Sequence, residues 1–89
     1  MLYVREFELA EQDGVVAAIP FGLDGGTQGD DFDDAVAMAA DWLRLTVLDA
    51  LERGETLPQG RMGNEPRHGG KVIALAVDVE ASEATRDDA

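Results

Sequence analysis

The chain has 89 residues, 45% of them hydrophobic, no cysteine, and 19 acids against seven Lys and Arg, for a net charge of −12. That is one small domain with enough apolar residues to fold, and with no disulfide framework or thiolate metal site. A surface this acidic is repelled by nucleic acid and by anionic membranes. It attracts basic partners and speeds their encounter.

LYVREFEL, residues 2–9, alternates as a strand does: Tyr3, Phe7 and Leu9 share one face, and Leu2, Val4, Glu6 and Glu8 share the other. Glu6 and Glu8 have no evident partner in the sequence. Asp13-Gly14 supplies a hairpin turn, VVAAI a second strand, and Pro20, which has no N–H to give to a ladder, its end. FGLDGG is turn-rich and leads to a short third strand near residues 26–29, placed at a sheet edge and open there to pairing. The N-terminus carries charges where a signal peptide has its apolar core, and no run approaches a membrane span. A cytoplasmic protein is expected.

One long helix is predicted from Phe32 to Arg53. Asp31 is its N-cap, Asp34 stands three residues on as in a capping box, Asp33 and Asp34 face the positive end of the helix dipole, and Gly54 marks the stop. Phe32, Val36, Ala39, Leu43, Val47 and Ala50 form an apolar stripe, with Met38, Trp42, Leu45 and Leu48 beside it. The combined face is wider than a thin sheet covers, so the long loop or a second subunit is expected over the remainder.

Residues 55–70 form a loop with two prolines and four glycines, whose downstream part, 59–70, carries Arg61, Arg67 and His68, with Lys71 next. KVIALAVDV, apolar on both faces, predicts a strand that is central or covered on both sides. A right-handed crossover from the helix would lay it parallel to the first strand. The expected fold class is α+β: a small, mostly antiparallel sheet in the order β-β-β-α-β, covered on one face by a single long helix. Residues 1–79 form that domain and residues 80–89 an acidic polar tail.

The order VVAAIP, TQGD, DFDDAVAMAADWL and LERGETLP, with Pro20, Thr27, Gly29, Asp34, Ala35 and Pro58 in sequence, resembles the HicB-like antitoxin family. The likeness covers about residues 3–58 and, more loosely, the final strand. It departs at the turn, which reads PFGLDGG where the family has P-D-L-P-G. The resemblance implies a truncated relative of the RNase H fold that masks a small basic RNA-cleaving toxin, HicA. It therefore implies an antitoxin that is not an enzyme and uses no cofactor. Many members carry a DNA-binding module after the last strand; residues 80–89 are too few for one, so no direct nucleic-acid binding by this chain is expected. A solitary regulator or scaffold with no toxin is the alternative within the family, and a residual metal-dependent RNase H-like nuclease the alternative outside it.

Asp30, Asp31, Asp33 and Asp34 lie within five residues, and neighbours in one helical turn diverge, whereas a two-metal site needs carboxylates converging on ions about 3.5–4 Å apart. No catalytic residue and no metal ligand is assigned. GNEPRHGGK has glycines and a lysine, but neither the spacing nor the following helix of a phosphate loop. His68 is expected at the loop surface, within reach of an acidic partner or of the chain's own helix start. The candidate partner-binding residues are Asp30, Asp31, Asp33, Asp34 and Trp42, in a chain expected to self-associate as a homo-oligomer.

Overall fold

The computed structural model describes residues 2–55 and 57–79. The acidic tail, residues 80–89, lies outside the described residues. The elements are β1 (Leu2–Gln12), β2 (Val15–Pro20), β3 (Thr27–Gly29), α1 (Phe32–Glu52) and β4 (Lys71–Asp78). The sheet has the order β3-β2-β1-β4, and every pairing in it is antiparallel. Asp13 and Gly14, with φ of 53° and 85°, turn β1 into β2, an Asp-Gly pair that tolerates this left-handed backbone.

Alternation along β1 sorts its residues as its sequence predicts. Tyr3, Phe7 and Leu9 point to the helix and join Val16, Ala18, Ala35, Ala39, Leu43, Val47, Val77 and Val79 in the core. The buried line of α1 is Ala35, Ala39, Leu43, Val47 and Ala50. This corrects the expected stripe at its start, because Phe32 is 46% exposed. The small side chains of Ala35 and Ala39 let the first turns of the helix approach the sheet closely, and a phenylalanine would hold them off.

The cap forms as expected on one side and differs on the other. The Asp31 carboxylate accepts from the Asp34 N–H at 2.8 Å, but the Asp34 carboxylate accepts from the N–H of Asp30, also at 2.8 Å, one residue earlier than a capping box would close. Asp31→Ala should cost about 1 kcal/mol. A thermal melt checks this, and an unchanged midpoint would mean that the dipole and packing alone hold the helix start.

Two expectations for β4 are corrected. It pairs antiparallel to β1, from Leu2 opposite Asp78 to Leu9 opposite Lys71, and it lies at the sheet edge with Ala74 and Ala76 exposed. The reason is the loop. α1 runs back along β1, with Val36 beside Leu9 and Trp42 against Phe7. The loop then travels with β1, Gln59 meeting Val4, Asn64 meeting Glu6, and Gly70 meeting Glu8. Only after this second pass does β4 begin, so it must return antiparallel. The loop thus covers part of the sheet face opposite the helix, rather than the outer side of the helix.

Candidate functional site

The charged residues of β1 anchor that loop. Glu8 is 1% exposed, and its carboxylate accepts from the N–H groups of Arg67 at 2.7 Å and of His68 and Gly70 at 2.8 Å each. Glu6 accepts from the N–H groups of Gly63 and Asn64 and from the Asn64 side-chain amide. The two glutamates without evident partners in the sequence are therefore acceptors for a loop that has no ladder of its own, which satisfies otherwise orphaned backbone donors. Burial raises the Glu8 carboxyl. The backbone donors of Arg67, Gly70 and His68, with the charge of His68, outweigh it and leave the group below the ordinary carboxylate range. Glu6 is lowered by the Asn64 and Gly63 backbone donors and the Asn64 amide, against an opposing contribution from burial.

Arg5, on the core face of β1, is 3% exposed. It donates to the carbonyls of Phe21 at 2.8 Å and Pro58 at 2.6 Å, and to the Tyr3 hydroxyl, which itself donates to Pro58 O at 2.6 Å. The guanidinium fork thus ties the turn after β2 to the point where the loop leaves the helix side, a role that the five fixed donors of arginine suit. Arg67 lies over the Phe21 ring at 5.6 Å, so this loop cation occupies the outer side of the sheet. His68 is exposed as expected, but its backbone serves Glu8 rather than the helix start.

Asp30, Asp31, Asp33 and Asp34 are all exposed at the start of α1. Trp42 stands two turns along. It is half-buried, edge-on to Phe7 with centroids 5.9 Å apart at 89°, and the backbone of Gly25 lies against its indole. The aspartates and Trp42 therefore do not form one patch.

What continues the acidic cluster is a ridge along the outward side of the same helix. Asp34, Met38, Asp41, Leu45, Asp49 and Glu52 follow at spacings of three and four, and all are exposed. Acids thus alternate with apolar side chains, Met38 at 43% and Leu45 at 58% exposure, over about 27 Å at 1.5 Å per residue. Arg44 is the one base among the helical residues. Reading Met38 and Leu45 with the apolar residues of the helix alone leaves out the acids between them. The signal was there: Asp41, Asp49 and Glu52 interleave with them at the same helical spacing.

Among the described residues no three His, Cys, Asp or Glu side chains gather where a metal ion could be held, and no helix is long and apolar enough to cross a membrane. No protein-family model matches the chain, and neither curated proteins nor solved structures provide a match. The site is therefore defined by its own geometry: a small α+β module whose helix presents an acidic, apolar-studded ridge.

Proposed function

We propose that this chain is a non-enzymatic, antitoxin-like binding module of the cytoplasm, and that its helix ridge masks a small basic ribonuclease toxin of the HicA type. The observation that carries the reading is the ridge itself. Aspartates steer a cationic partner, while Met38 and Leu45 give it apolar surface to bury once docked. The ordered resemblance through TQGD and DFDDAVAMAADWL points to the same partner class.

The test is affinity capture from the native cell at low and at high salt, followed by binding kinetics on whatever small basic protein is retained. Changing Asp33 and Asp34 to Asn should slow association by roughly threefold to tenfold at low salt and flatten its salt dependence, with little change in dissociation. Leu45→Ala should act the other way, on dissociation. An affinity and salt slope that ignore both changes would overturn the ridge as the binding surface. Recovery of the chain with only itself would replace the antitoxin reading with that of a solitary regulator.

A further inference from the structure

Six arginines stand in this acidic chain, and three of them meet at one place. Arg5, Arg61 and Arg67 line a cavity of about 270 Å³ between the turn after β2 and the loop that follows α1, with Phe21, Gly22 and Asn64 completing its wall. No carboxylate lines it. Among the described residues none of the three guanidiniums is ion-paired, whereas Arg53 pairs with Asp49 and Glu55 at the end of the helix. Glu6 and Glu8, which hold the loop, spend their oxygens on backbone N–H groups and on the Asn64 amide, not on the guanidiniums.

The base of the cavity is built around a buried charge. Arg5 is 3% exposed, and its terminal nitrogens donate only to neutral acceptors, the Phe21 and Pro58 carbonyls and the Tyr3 hydroxyl. Its Nε–H is buried and has no acceptor within the chain. A buried cation with no counter-charge and one donor unmet is a costly arrangement, and an anion beside it offsets that cost. A Cβ at Gly22 or Gly60 would lie 2.8 Å from Arg5 Nη1, so glycine at both positions is what lets the two backbones close on the guanidinium. Arg61 and Arg67 are exposed, but their backbones are fixed: the Asn64 amide donates to the Arg61 carbonyl at 2.6 Å, and Glu8 accepts from the Arg67 N–H.

We propose that this cavity is a binding site for a compact phosphate group, with Arg5 at its base and Arg61 and Arg67 as its exposed clamp. Its volume falls just below the roughly 300 Å³ at which drug-sized ligand sites begin, so it suits a small group. A phosphate monoester carries a charge of about −1.5 to −2 at neutral pH and three acceptor oxygens, which three guanidinium forks match better than they match a single carboxylate. Nucleic acid is not the occupant. A polyanion meets the field of a chain with net charge −12, whereas a small phosphate meets only the local cluster. The cavity shares no residue with the helix ridge, so it stands whether or not the ridge masks a toxin.

The experiment is titration of the purified chain with inorganic phosphate at constant ionic strength, followed by calorimetry and by the Nε–H resonance of Arg5. Acetate and glycerol 3-phosphate are titrated in parallel. Phosphate should bind saturably, shift the Arg5 resonance, and bind at least about tenfold more tightly than acetate. R61A/R67A should weaken phosphate binding at least about tenfold, while a thermal melt shows it folded. R53A/K71A removes the same two charges elsewhere and should change the affinity less than about twofold. Tighter binding of the monoester would make this a site for a phosphorylated small molecule, and equal or weaker binding would assign it to free phosphate; either supports the site. Three results would overturn it: no saturable binding, acetate bound as tightly as phosphate, or equal losses in the two double variants. The last would mean that net charge, not the cavity, draws the anion.

Discussion

Glu8→Gln is expected to destabilise the domain by about 3 kcal/mol, because one buried group satisfies three backbone donors of the loop segment that leads into β4. Gln keeps the shape but carries one acceptor oxygen. Placed where it still meets His68 and Gly70, it turns its amide toward the Arg67 N–H, donor against donor. For a chain of this size the melting midpoint should fall by roughly 10–20 °C. The amides of Arg67, His68 and Gly70 should also exchange faster in the variant.

The pH dependence identifies the cause. The folded-state carboxyl of Glu8 titrates below its ordinary value of 4.5, so its contribution is complete above that pH and is lost as the pH falls through the folded value. Protonated Glu8 resembles Gln. The gap between wild type and variant should therefore be full at neutral pH and close progressively below about 4.5. The comparison must be a difference, because acid also relieves the self-repulsion of a chain with net charge −12, and that effect is common to both proteins. A gap that stays constant down through the acid range would show that shape, rather than the carboxylate charge, is what Gln disturbs. No gap at neutral pH would mean that Glu8 does not hold the loop.

Glu8 also marks where the sequence is legible and where it is not. The hairpin at Asp13-Gly14, the cap at Asp31 and the stop at Gly54 are local decisions, made by residues within a few positions of one another, and periodicity exposes them. The orientation of β4 is not local. It depends on the long loop after the helix, whose path is set by contacts with a strand more than 50 positions earlier, such as Gln59 with Val4 and Gly70 with Glu8. A loop without periodicity conceals such a path. Its one trace was chemical: two glutamates on a strand that is otherwise mostly apolar, and a distant loop rich in glycine N–H groups. The edge position of β4 was hidden for a related reason, since VIALAV is apolar on both faces whether alanines are packed or merely small. The aspartate cluster was legible in both respects that geometry tests, as a cap and as an exposed acidic patch. Its continuation through Asp41, Asp49 and Glu52 needed the burial of each helical position.

Gly29→Ala should be the more severe of the two changes, although it adds only a methyl group. Gly29 is the last residue of β3, is buried, and stands where the chain passes from the sheet edge into the first turn of the helix. A Cβ there would lie 2.7 Å from Ala35 Cα and from the Asp34 carbonyl carbon, closer than such atoms approach. Both are backbone atoms of the helix, so no side-chain rotation relieves the clash. Either β3 leaves β2, where Gly29 pairs with Val16, or the helix start lifts from the core and draws Ala35 and Ala39 with it. The loss should be about 3 kcal/mol or more, on the order of the largest single-site effects in small domains. The requirement is for space rather than for an unusual backbone angle, so a residue smaller than alanine is needed and only glycine qualifies. This accounts physically for the glycine of the TQGD step. A control in the same short strand, Gln28→Gly, should cost far less, because Gln28 is exposed and its side chain is not buried on folding. If Gly29→Ala melts within a degree or two of wild type, the helix does not seat on β3 as closely as described. The close seating of Ala35, on which the exposure of Phe32 and the phase of the outward ridge depend, would fall with it.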